Sequence, residues 1–113
     1  MRRRAGILVC ALAFALAGCG GVEVPDPQRS ATPFELYTHC GIDELRTDDG
    51  RFFERAGGPL TDGSGNPPPG WGNPSQEGEL VVAADVAVLT DDSGHREEFR
   101  LREGASEFLR LCD

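Results

Sequence analysis

The stretch ELVVAADVAVLTDDSGHREEFRLR, residues 79–102, decides the fold. ELVVAA and VAVLT are short runs of apolar and β-branched residues, separated by a turn near Ala84-Asp85. Runs of this length bounded by turn signals fit strands and are too short for helices. Asp91-Asp92-Ser93-Gly94 is a second turn, because Asp and Ser side chains bond nearby backbone and Gly accepts positive φ. HREEFRLR then alternates. Phe99 and Leu101 face one way, while Arg96, Glu98, Arg100 and Arg102 face the other. A period of two puts one face of a strand on a core and the other in water. Three strands joined by tight turns predict an antiparallel sheet.

The same reading extends to both sides. In FELYTHCGI, residues 34–42, Phe34, Leu36, Thr38, Cys40 and Ile42 share one face, and Glu35, Tyr37, His39 and Asp43 the other. This predicts a first strand with Cys40 on its core face. Thr47-Asp48-Asp49-Gly50 signals a turn, and RFFER at 51–55 a short strand hairpin-paired with the first. Glu103-Gly104-Ala105 turns again, and FLRLC at 108–112 reads as the last strand. The expected fold is all-β: a small antiparallel meander or half-barrel of five or six strands over 34–113. Its first and last strands would be joined by a disulfide, tethering the sheet edges.

The chain begins Met-Arg-Arg-Arg, followed by an apolar run from Ala5 to Ala17. A basic start, a short apolar stretch and small residues mark a signal peptide, here 1–18. The run is shorter than the about 20 residues that cross a bilayer. Leu16-Ala17-Gly18-Cys19 resembles the bacterial lipobox. That resemblance implies lipidation of Cys19, which becomes the mature N-terminus. Each buried methylene contributes about 0.8 kcal/mol, and a diacylglyceryl group brings two chains, enough to tether the protein to a membrane. The expected location is the outer face of the cytoplasmic membrane. Residues 19–33, with two glycines, three prolines and a serine, read as an extended, flexible linker.

Cysteine arithmetic follows from that address. Cys10 leaves with the signal peptide and Cys19 carries lipid, so Cys40 and Cys112 remain. In an oxidising compartment this pair predicts a disulfide. Closing a loop of about 70 residues stabilises by roughly 4 kcal/mol in the chain-entropy model. Charge narrows the partners. Without Arg2, Arg3 and Arg4, eight of the 11 basic residues face 19 acidic ones, a net −11. Such acidity disfavours nucleic acid and anionic membrane surfaces. The chain contains no lysine.

Between Glu54 and Glu79 runs a long connection that holds the single tryptophan, in Pro67-Pro68-Pro69-Gly70-Trp71. Loops of this length tend to be functional or disordered. Trp71 has two readings. It caps an open end of a core too small to close itself, or it joins Tyr37 in an exposed aromatic site for a protein, peptide or glycan. Arg96, Arg100 and Arg102 form a candidate basic stripe, with cross-strand pairing to acids as the alternative.

The sequence matches no catalytic or metal-binding pattern in full. The Asp62–Asn73 segment begins like a calcium loop but has Pro67 at its sixth position and Asn73 at its twelfth. His39 and His95 lack a third zinc ligand once both cysteines are paired. No GxSxG or phosphate-binding glycine loop is present. We therefore expect no catalytic residues, no metal, no cofactor and a monomer.

Three motifs in order, YTHCGI at 37–42, GNPPPGWGNP at 65–74 and DDSGHREEFRLREGASEFLRLC at 91–112, resemble a group of small exported proteins and lipoproteins of high-GC Gram-positive bacteria, the actinobacteria. The resemblance implies a secreted or lipid-anchored domain and carries no activity with it. A second resemblance, in outline, is to the lysozyme-inhibitor lipoproteins. It would make the acidic domain an inhibitor of a cationic envelope or host enzyme, although their serine-glycine-tyrosine loop is missing. The principal expectation is a membrane-anchored binding or structural domain.

Overall fold

The computed structural model describes residues 30–112. The signal peptide, Cys19 and nearly all of the linker lie outside them. Among the described residues six strands are formed: β1 (Thr32–Tyr37), β2 (Glu44–Arg46), β3 (Phe52–Arg55), β4 (Ser75–Ala83), β5 (Val86–Thr90) and β6 (Arg96–Leu101). All pairings are antiparallel, in the order β1-β4-β5-β6-β3-β2, and the sheet curls into a nearly closed barrel. The all-β class and the half-barrel are as the sequence predicts.

The decisive stretch folds as read. β4, β5 and β6 form a meander through Ala84-Asp85 and the 91–95 turn. β5 sits in the middle, and its Val86, Ala87, Val88 and Leu89 are all buried. One face of the sheet makes the core: Leu36, Ile42, Leu45, Phe53, Leu80, Ala87, Leu89 and Phe99. Phe53 and Phe99 are the largest fully buried side chains, and each such burial stabilises by about 2–3 kcal/mol.

Four local expectations change. The first strand stops at Tyr37, because the N–H groups of Thr38 and His39 both turn to the Pro74 carbonyl. The Gly41 N–H then donates to the Thr38 carbonyl, and Cys40 takes a φ of 74°. This turn swings Cys40 off the core face and leaves it exposed. Gly41 is required beside it: at φ 105° it approaches so closely that a Cβ would stand 2.5 Å from Thr61 Cγ2.

RFFER pairs with Glu44–Arg46 rather than with β1. The tight Thr47–Arg51 turn, closed by the Thr47 N–H on the Arg51 carbonyl, leaves only the residues just before it within reach. The other side of β3 pairs with β6. The third change is at the C-terminus, where FLRLC forms no strand. Residues 102–112 are an irregular tail that reaches the gap between β1 and β2. At the start of the domain, Thr32 and Pro33 already pair with Leu80 and Glu79, so β1 begins inside the expected linker.

Candidate functional site

β1 and β2 are the two ends of the strand order, and a cleft of about 480 Å³ lies between them. Alternation explains its walls. Phe34, Leu36 and Leu45 point inward and form an apolar floor. Glu35, Tyr37, Glu44 and Arg46 stand on the rims, and Phe108, Arg110, Leu111 and Cys112 of the tail flank one end. Tyr37, Phe108 and Leu111 are exposed by 54%, 40% and 89%, and all three line this cleft. Single exposed apolar residues are ordinary; these three gather around one concave site.

The rims also carry backbone groups. The Thr38 N–H meets Pro74 across the β1–β4 ladder, which fixes the phase of the strand. Residues of the opposite phase, Glu35 and Tyr37, therefore turn their N–H and C=O groups into the cleft. Pro33 shares that phase, where its missing N–H costs no ladder bond. On the other rim, the Asp43 carbonyl and the Thr47 N–H both pair with the β3 side. Glu44 and Arg46 thus present their backbone groups to the cleft.

Glu44 positions the tail. Its side chain is 5% exposed and takes an ion pair from Arg102 at 3.0 Å. Its carboxylate also accepts the Leu109 N–H at 3.0 Å. Beside it, burial pushes the Asp43 carboxyl above its ordinary value; Arg110, at 3.8 Å, opposes that rise, and Glu44 and Glu54 reinforce it. The tail is tied a second time by the Cys40–Cys112 disulfide, with a Cα separation of 6.2 Å. Tyr37 stands edge-on to His39, whose Nδ1 lies 3.2 Å from Asn73 Oδ1.

Trp71 is used differently. It is half-buried, packs on the core cluster and stacks on His95, with ring centroids 3.8 Å apart and 16° between planes. His95 is held in turn by Asp91, whose buried carboxylate lies 2.6 Å from Nδ1. Burial opposes ionisation of Asp91. Hydrogen bonds from the His95 ring and backbone, the His95 charge and the Ser93 N–H outweigh it and hold the carboxyl below its ordinary value. The Thr38 hydroxyl, fully buried, donates to the Gly72 carbonyl and fixes the loop beside Trp71. Trp71 thus caps the core, and it does not line the cleft that Tyr37 lines.

The arginine stripe is divided among acids. Arg96 pairs with Glu98 at 3.1 Å, Arg100 approaches the same carboxylate at 4.0 Å, and Arg102 turns to Glu44. In the long loop, Asp62 Oδ1 accepts from the Ser64 N–H, the Ser64 hydroxyl and the Asn66 N–H, so it caps its own turn. Sequence reasoning missed Glu44, Asp91 and the tail. Asp91 alone had a local signal, since a carboxylate four residues before a histidine across a Gly turn can reach its ring.

No family model, curated protein or solved structure matches this chain in comparison.

Proposed function

We propose that this chain is an exported, lipid-anchored binding domain that takes an extended peptide into the cleft between β1 and β2. One observation carries the reading: the exposed apolar side chains Tyr37, Phe108 and Leu111 gather around a cleft whose two rims are open strand edges. An added strand would find hydrogen-bonding groups on Glu35 and Tyr37 and pockets for alternate side chains on the floor. The volume lies within the usual range for ligand sites, about 300–1,000 Å³. The lipobox and the resemblance to small actinobacterial lipoproteins support anchoring through Cys19 at the outer face of the membrane.

The phase of β1 supplies the test. Glu35→Pro removes an N–H that faces the cleft and leaves the ladder to β4 intact, whereas Glu35→Ala removes only the side chain. The detergent-purified full chain is panned against a library of random linear peptides. Peptides that bind wild type and Glu35→Ala should bind Glu35→Pro at least tenfold more weakly, at unchanged melting temperature. Equal binding by the two variants, or no enriched peptide, rejects the reading. Anchoring is checked separately by intact mass: the mature chain should start at Cys19 with a diacylglyceryl adduct, and Cys19→Ser should release it to the medium.

A further inference from the structure

We propose that, once the Cys40–Cys112 disulfide is reduced, the same corner binds a thiophilic divalent cation of the zinc class through His39, Cys40 and Cys112. A ring nitrogen of His39 and the two sulfurs all lie within 4.8 Å of one another. Tetrahedral zinc, with Zn–S of about 2.3 Å and Zn–N of about 2.0 Å, places its donors roughly 3.5–3.8 Å apart, so the two sulfurs, bonded in the oxidised chain, must part to that spacing on reduction while His39 stays within reach. Two thiolates and one imidazole are soft and borderline donors, the set that selects zinc over calcium or magnesium.

The surroundings are those of a ligating histidine. With Asn73 Oδ1 as the acceptor at 3.2 Å, His39 carries its proton on Nδ1 and offers the Nε2 lone pair, the donor the ion would take. Metal-bound histidines are commonly oriented by such a partner on the other nitrogen. The His39 backbone is fixed as well, by its N–H on the Pro74 carbonyl at 3.1 Å. Cys40 sits on an exposed turn, so an ion can enter and water can fill a fourth position. Formation is balanced as follows. A dithiol passes two electrons and two protons to the disulfide and closes to its own disulfide. The cation then displaces the two thiol protons, and with a neutral imidazole the site has no net charge. Disulfide and cation are thus alternative fastenings of the tail to the 38–41 turn.

The test uses the full chain carrying Cys10→Ser and Cys19→Ser, so that Cys40 and Cys112 are its only thiols. The chain is reduced with a water-soluble phosphine, which becomes its oxide, and titrated with Co²⁺ without oxygen. One equivalent should produce thiolate-to-cobalt charge-transfer absorption and tetrahedral visible bands, both abolished by Zn²⁺. The oxidised chain should produce neither. His39→Gln should weaken binding at least tenfold while retaining the charge-transfer band, and Cys112→Ser should reduce that band. If reduction unfolds the chain, read from Trp71 fluorescence, Zn²⁺ should restore the folded emission. Absence of the band, equal binding by the oxidised chain, indifference to His39→Gln, or an unfolded chain that Zn²⁺ does not rescue each overturns the proposal.

Discussion

Asp91 shows how much one side chain can organise. Its carboxylate accepts the N–H groups of Ser93 and His95 and meets the His95 ring, which in turn supports Trp71. A hydrogen bond to a charged group contributes about 1.5–3 kcal/mol. Because the folded Asp91 holds its charge below the ordinary carboxylate value of 3.8, its contribution is present above that pH. It is lost as pH falls through the lower folded value, where the folded carboxylate takes up its proton. Asp91→Asn should therefore cost roughly 2 kcal/mol at pH 7, and the difference from wild type should shrink steadily below pH 3.8. Urea unfolding at a series of pH values measures both; a difference that stays constant into acid would contradict the assignment. The neighbouring Trp71 could not be assigned from sequence, because a tryptophan between glycines is compatible with either a cap or an exposed site. The stacking on His95 decides it, and that contact depends on how the loop returns across 24 residues of chain.

At the scale of elements, the β4–β5 turn makes a clean test. Ala84 has a φ of 53°, a conformation that costs an L-residue about 1–2 kcal/mol and that glycine adopts freely. Ala84 is exposed and carries no packing role. Against this, glycine adds flexibility to the unfolded chain worth roughly 0.5–1 kcal/mol. Ala84→Gly should thus stabilise by about 0.5–1 kcal/mol, seen as a higher midpoint in urea with unchanged slope. The strands around this turn could be read in advance because pattern and punctuation agree: Val86–Leu89 is continuous and central, and Phe99 alternates with charged neighbours. FELYTHCGI misleads for the opposite reason. Its alternation continues through Cys40, but the backbone leaves the ladder after Tyr37 when two successive N–H groups share the Pro74 carbonyl. FLRLC has strand-like composition, yet it joins neither open edge, and the tail is fastened by a side chain, Glu44. Such a fastening 65 residues away leaves no periodic trace in sequence.

Over the whole molecule, the gap between β1 and β2 and the tail beside it form one system. A sheet of six strands with an apolar interior would ordinarily leave two open edges, which invite pairing with other chains. Here the edges face each other across the cleft, and the tail closes part of it through two independent ties, the ion pair and amide contacts at Glu44 and the disulfide across 72 residues. These ties act on different states. Glu44 stabilises the folded tail directly. The disulfide acts chiefly by limiting the unfolded chain, and for a loop of this length it contributes about 4 kcal/mol. The double variant Cys40→Ser, Cys112→Ser should lose close to that amount in urea unfolding, while the six strands keep their pairing. Amide exchange separates the two contributions. With Glu44 in place, the Leu109 N–H should retain measurable protection in the double variant, and the β5 amides should exchange only through global unfolding. If the Leu109 N–H exchanges at the rate of a free peptide once the disulfide is gone, then Glu44 holds the tail only because the disulfide has already brought it there, and the two ties are one.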